Sequence, residues 1–152
     1  MRHWLLKSEP SVFSIDDLAA APGKRTFWDG VRNYQARNML RDEMKKGDLA
    51  FFYHSSSDPA GIAGIVEIAT AGHPDASAFD RKDHHYDPKS DPASPTWYGV
   101  DVKLKRKFAR IVTLAELKSA PALAGMQLLR RGNRLSVMPV TPAEWDTILA
   151  LI

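Results

Sequence analysis

The 152-residue chain contains no cysteine, which excludes disulfides, thiolate zinc sites and cysteine nucleophiles, so the fold must rest on packing alone. That absence fits a reducing compartment, and a cytoplasmic location, nuclear in a eukaryote, is expected. Long hydrophobic runs are missing too: none approaches the ~20 residues that a transmembrane helix needs. The block Trp4 to Glu9 lacks the length and the small-residue cleavage site of a secretory signal, so the mature protein is expected to start here. Charge of one sign is also scarce. Basic residues outnumber acidic ones by only 21 to 18, a weak signal beside the clustered basicity of proteins that grip long duplexes by their phosphates. If nucleic acid is the ligand, charge is not the main grip. A hydrophobic share of 44% with 26% charged residues argues against disorder, and the length suits one core, so residues 1–152 are read as a single domain.

What is present concentrates in Trp28-Asp29-Gly30-Val31-Arg32-Asn33-Tyr34-Gln35-Ala36-Arg37-Asn38-Met39-Leu40. A core-building segment of this length carries an aliphatic stripe and a charged one; here planar, amide and guanidinium groups mix around a turn, as a planar heteroaromatic ligand requires.

Along the chain, Trp4 to Lys7 predicts a short buried strand closed by Ser8-Glu9-Pro10. Ser14 caps a helix over Ile15 to Leu18, with Asp17 in capping-box position. Helical composition runs from Tyr34 to Met44 and stops at Gly47. Leu49 to Tyr53 and Ile62 to Ala69 are apolar strands joined by a polar, hairpin-like loop. His73 to Pro95 forms a long polar excursion of the kind that is functional or mobile. Trp97 to Phe108 alternates as a long strand and Arg134 to Met138 as a last one. Thr113 and Thr141 open further capping boxes with Glu116 and Glu144. Strands and helices mix without regular alternation, so the fold class is α+β around a partly closed sheet.

Several constellations carry two readings. Trp4 and Trp145 read as core. Trp28 and Trp97 stand beside polar loops and are either core or pocket walls, since aromatic platforms hold extruded bases at roughly 1–3 kcal/mol per stack. Lys7 and Ser8 bring a cation and a hydroxyl to a strand end, or are a surface lysine and a turn serine. Asn33 is either a base-edge contact or the cap of the helix that starts at Tyr34. Arg37 and Arg41 share a helical face that either tracks phosphates or is merely solvated. His54-Ser55 resembles no nucleophile elbow, so a hydrogen-bonding role outranks catalysis. His84 and His85, with His73 and Asp75 upstream, lack the spacing of a zinc site, and solvation is the default. Gly61 and Gly64 suggest close backbone packing. No metal, cofactor or catalytic residue is expected.

Taken in order, Trp4-Leu-Leu-Lys-Ser-Glu-Pro10, Trp28 to Asn38, Gly47-Asp48 leading to Tyr53-His54-Ser55, Gly64-Ile-Val-Glu67, Tyr86-Asp87-Pro88, Trp97-Tyr98 and Arg134-Leu-Ser136 closely resemble the EVE domain, essentially from end to end. The resemblance implies a PUA-like fold, a bent, partly closed β-barrel flanked by short helices and akin to the YTH domain that reads methylated adenine in RNA. It implies recognition of a modified base, foremost a modified cytosine in DNA, flipped into an aromatic pocket. Carried over by residue, it implies a pocket of Lys7, Ser8, Trp28, Asn33, His54, Ser55 and Trp97. Arg32, Tyr34, Arg37, Tyr86, Asp87 and Arg134 would form its rim or hold phosphates. The expected partner is nucleic acid carrying a modified base, with a nuclease or other effector downstream, no membrane, and a monomeric state. The competing reading is an amidohydrolase of the ASCH type acting on a modified nucleoside through Lys7, Glu9 and Asp29; a third is a protein-interaction module.

Overall fold

A computed structural model describes residues 1–152. Its centre is a six-stranded sheet built from β1 (His3–Ser8), β2 (Arg25–Phe27), β3 (Leu49–His54), β4 (Gly61–Ile68), β7 (Asp101–Thr113) and β8 (Val137–Val140), in the order β2-β7-β4-β3-β1-β8. All neighbours are antiparallel except β1 and β3, which run parallel in register from His3↔Leu49 to Ser8↔His54. The outer strands β2 and β8 do not pair, so the sheet curls without closing. A small second sheet joins β5 (His73–Pro74) to β6 (Tyr98–Gly99). Four short helices flank these strands: α1 (Ile15–Ala20), α2 (Tyr34–Asn38), α3 (Leu114–Ser119) and α4 (Pro142–Leu149). None is long and apolar enough to cross a membrane.

Strand periodicity divides the core. Successive side chains point to opposite faces, so Trp4, Leu6, Ala50 and Phe52 enter one apolar cluster with Ile15, Trp28 and Leu40. Leu5, Phe51 and Tyr53 enter the other, with Leu117, Trp145 and Ile148 from α3 and α4. β4, between β7 and β3, is almost wholly buried. Its glycines are there for contact: a Cβ on Gly61 would lie 2.2 Å from the Val112 carbonyl oxygen, and one on Gly64 2.3 Å from that of Arg106.

Capping boxes at Ser14–Asp17, Thr113–Glu116 and Thr141–Glu144 all form. Other boundaries differ from expectation for identifiable reasons. The helix expected over 34–44 is regular only to Asn38 and widens into a π turn at Met39–Glu43. The strand expected from Trp97 begins at Asp101, because Tyr98 and Gly99 pair with His73 and Pro74 instead. The last strand starts at Val137, and Pro139 is tolerated there because β8 is an edge. The excursion 73–95 is not structureless. Asp80, Asp83, Asp87 and Asp91 each accept from the backbone N–H two residues on, closing a chain of Asx turns.

Candidate functional site

A cleft of about 370 Å³ opens where β1 ends, within the size range of small-ligand sites. Apolar Val12, Phe13, Phe27 and Trp28 line it together with polar Lys7, Ser8, Thr26, Asp29, His84 and His85.

Lys7 lies on β1 opposite Tyr53, and its ammonium sits 5.9 Å from the centre of the Tyr53 ring. It has no carboxylate partner, and burial lowers its pKa; the half-buried cation is therefore free for a ligand. The Ser8 hydroxyl donates to the Phe13 carbonyl at 2.6 Å, and Val12 and Phe13 N–H both return to the Glu9 carbonyl. This turn swings Val12 and Phe13 back over the strand end.

The facing segment is clamped from behind. Trp28 N–H donates to the Val100 carbonyl at 2.8 Å, and its ring meets Phe52 edge-on at 5.4 Å, leaving the residue 7% exposed. Gly30 N–H donates to Asp75 at 2.8 Å. Gly30 has φ +76, and a Cβ there would fall 2.3 Å from His85 Nε2; only glycine permits both the turn and the ring against it. His84 packs on His85 at 3.8 Å between ring centres.

Asp75 organises this wall. Completely buried, it accepts from Gly30 N–H, from the Arg32 guanidinium at 3.0 Å, and from the Ser77 N–H and hydroxyl. Burial pushes its carboxyl pKa up, but the bonds from Ser77, Gly30 and Arg32 outweigh burial and hold it below the usual value. Arg32 also donates to the His85 carbonyl at 2.7 Å, so its guanidinium is engaged within the protein.

The remaining expected site residues are distributed around the cleft. His54 and Ser55 stand behind it: His54 Nε2 accepts from Ile15 N–H at 3.1 Å, and Ser55 N–H donates to the Ser8 carbonyl at 2.9 Å. Two tryptophan walls were expected, and of the two only Trp28 is among the residues lining this cleft. The Trp97 indole N–H donates to Asp87 at 2.7 Å, its ring packs on Tyr34 at 5.0 Å and under Arg32 at 5.4 Å. Arg37 lies 5.2 Å over Tyr34 and donates to the Thr96 carbonyl. Tyr34 stays 62% exposed, the one large exposed aromatic. Tyr86 is half-buried in the turn held by Asp83. Asn33 caps α2, accepting from Ala36 N–H at 3.0 Å, and with Arg134 lines a separate groove of about 380 Å³ that includes Arg130, Arg131 and Asn133. Glu9 is exposed and outside the cleft lining.

Sequence reasoning missed Val12, Phe13, Thr26, Phe27 and the two histidines as cleft residues. The available signal was Gly30 beside Trp28-Asp29, a left-handed turn that leaves room for a neighbouring ring. Ligating atoms of Asp83, His84 and His85 lie within 4.8 Å of one another, but consecutive loop residues holding two turn bonds are not a built metal centre.

A family model described as the EVE domain matches residues 2–151. Human thymocyte nuclear protein 1 is 46% identical over 166 aligned residues, covering 98% of this chain and 73% of that protein. Among solved structures, a Pseudomonas putida protein is 48% identical with a TM-score of 0.94, covering 98% of each chain. Human THYN1, solved in complex with DNA containing 5-methylcytosine, is 46% identical with a TM-score of 0.93, covering 99% of this chain and 97% of that one.

Proposed function

Because the chain belongs to the EVE domain family, we propose that its cleft reads a modified cytosine flipped out of DNA. The observation that carries this reading is the human relative bound to 5-methylcytosine DNA, whose backbone this chain shares almost throughout. The cleft suits the task. It is part apolar and part polar, and the segment Trp28 to Gly30 is fixed by hydrogen bonds from its backbone before any ligand arrives, which lowers the ordering cost of binding.

In this mechanism extrusion of the nucleotide costs a few kcal/mol, least for a modified or unpaired base. Trp28, which borders the cleft with Phe13 and Phe27, offsets it by packing on the base, and the C5 methyl adds only ~1–3 kcal/mol of discrimination. Lys7 supplies a donor to a ring acceptor. Tyr34 with Arg37, and the groove of Arg130, Arg131 and Arg134, hold the flanking strand. Trp97 and Arg32 support that wall from within. The role is binding and not catalysis in this reading: Lys7 and Asp29 line the cleft, but Glu9 lies outside its lining, so the three groups of the hydrolase alternative are not assembled there. One domain, acting as a monomer inside the cell and passing its signal to a separate effector, completes the reading.

A panel of oligonucleotides, each carrying one modified base, tests it. Tighter binding of 5-methylcytosine than of unmodified cytosine is expected. Equal affinity across the panel overturns the reading, as does turnover of an acylated cytidine that disappears in Lys7→Ala.

A further inference from the structure

5-Methylcytosine and thymine share ring and C5 methyl, so a cleft selecting a methylated pyrimidine by shape alone would fill with thymine, which is abundant in DNA. They differ at position 4, an amino donor in one and a carbonyl acceptor in the other, and at N3. Discrimination must therefore come from a polar group on the cleft wall. A buried acceptor facing the wrong acceptor is rejected far more steeply than a misplaced methyl.

Most of the polar lining cannot discriminate this way. Lys7 only donates and suits N3 or O2 of cytosine; the Thr26 hydroxyl rotates; His84 and His85 change tautomer to suit either edge. Asp29 is different. Its carboxylate, 47% exposed, borders the cleft, and its one ion-pair contact is His85 Nδ1 at 4.0 Å. No Lys or Arg neutralises it, whereas Asp75, Asp101 and Asp42 each have an arginine. Its backbone is held on both sides, by Trp28 N–H on Val100 and Gly30 N–H on Asp75, both at 2.8 Å. An acceptor-only group is thus carried on a fixed stretch of backbone directly beside the tryptophan that borders the base.

Resting on the reader function above, we propose that Asp29 is the specificity-determining residue that accepts the 4-amino hydrogen of a flipped cytosine and thereby excludes thymine. Partial burial raises its pKa, with the His85 charge partly offsetting and Asp75 and Asp83 adding to the rise, so this half-exposed carboxylate gains more than a fully solvated one from a donor brought by the ligand. Ser8 is a second acceptor, its proton committed to Phe13, but a neutral one, and charge-assisted bonds are roughly twice as strong.

The test uses single-stranded oligonucleotides carrying 5-methylcytosine, thymine or 5-methylpyrimidin-2-one, which lacks the 4-amino group, at one position. The wild-type protein should bind the first about ten-fold or more tightly than either other, the range of one base-edge contact. In Asp29→Asn the amide presents both a carbonyl and an N–H₂, so thymine binding should rise and the preference collapse towards one at an unchanged thermal midpoint. The pyrimidinone arm needs only the wild-type protein and stands if the variant does not fold. Retention of the wild-type ratio in Asp29→Asn, its loss in Ser8→Ala alone, or equal binding of the pyrimidinone and 5-methylcytosine overturns the assignment and leaves the reader function standing. Failure of the wild-type protein to prefer 5-methylcytosine over unmodified cytosine overturns both.

Discussion

At the scale of single residues the cleft depends on Asp75 more than on any group that faces it. Its four hydrogen bonds join the Trp28–Arg32 segment to the excursion that carries His84 and His85. Asp75→Ala leaves the Arg32 guanidinium half-buried without its partner, and a loss of about 3–5 kcal/mol is expected, the cost of breaking such pairs, read as a fall in the urea midpoint together with loss of base binding. Asp75 also shapes acid stability. Its pKa is depressed on folding, so its contribution is complete above the unfolded value near 4 and disappears as pH falls through the folded value. Asp48, with burial outweighed by bonds from Arg2 N–H, the Trp4 indole and Lys45 N–H, acts in the same sense.

His54 predicts behaviour at milder pH. Only an unprotonated Nε2 can accept from Ile15 N–H, and burial lowers the pKa, with Asp16 partly opposing. For a lowered histidine the unfolded chain binds the proton first, so its stabilisation is full above about pH 6.5 and is lost as pH drops from there through the folded value. His3, lowered by burial, adds to the same trend. Urea midpoints measured between pH 7.5 and 5 should therefore decline, and less so in His54→Ala, which is less stable than wild type at pH 7.5. An equal decline in both assigns the trend elsewhere.

At the scale of elements, close backbone approach sets what can change. A Cβ on Gly99 would meet the Trp28 carbonyl at 2.2 Å and the Phe27 ring at 2.7 Å. Gly99→Ala should therefore cost roughly 1–3 kcal/mol by overpacking and weaken base binding too, because the residues displaced, Phe27 and Trp28, line the cleft. Gly64→Ala, against Arg106 and Ile15, should lower the thermal midpoint while leaving the affinity of the folded fraction near wild type, since no residue of β4 lines the cleft. Thr141→Ala removes one capping box, with an expected loss of about 1 kcal/mol. Comparing the three by unfolding and by binding separates scaffold from site. Caps and short apolar strands were legible in the sequence because their signals are local. β2 was not: Arg25–Phe27 is three residues long and gains its strand character from pairing with Asp101–Lys103. The turns of the excursion 73–95 were not legible because four aspartates each close a turn through a two-residue hydrogen bond, which has no periodic signature.

At the scale of the whole molecule, a net charge of +3 implies few phosphate contacts and a shallow dependence of affinity on salt. Arg131→Ala in the second groove should reduce the slope of log K against log salt by about 0.7–0.9 if that arginine meets one phosphate, measured over a salt titration with a 5-methylcytosine oligonucleotide. An unchanged slope places the flanking strand elsewhere. The sequence by itself determined the fold class, the family blocks and the residues at the end of β1, because these follow from periodicity, caps and the order of short motifs. Only the tertiary structure decided which of those residues share a cleft. Lys7, Ser8 and Trp28 meet there, whereas Trp97 is tied to Asp87 and Tyr34, and Asn33 caps its helix. Asp29 and His85, 56 positions apart in the chain, come together because the buried Asp75 pulls their two segments onto one anchor. A motif records which chemical groups are available; hydrogen bonds between distant segments determine where those groups point.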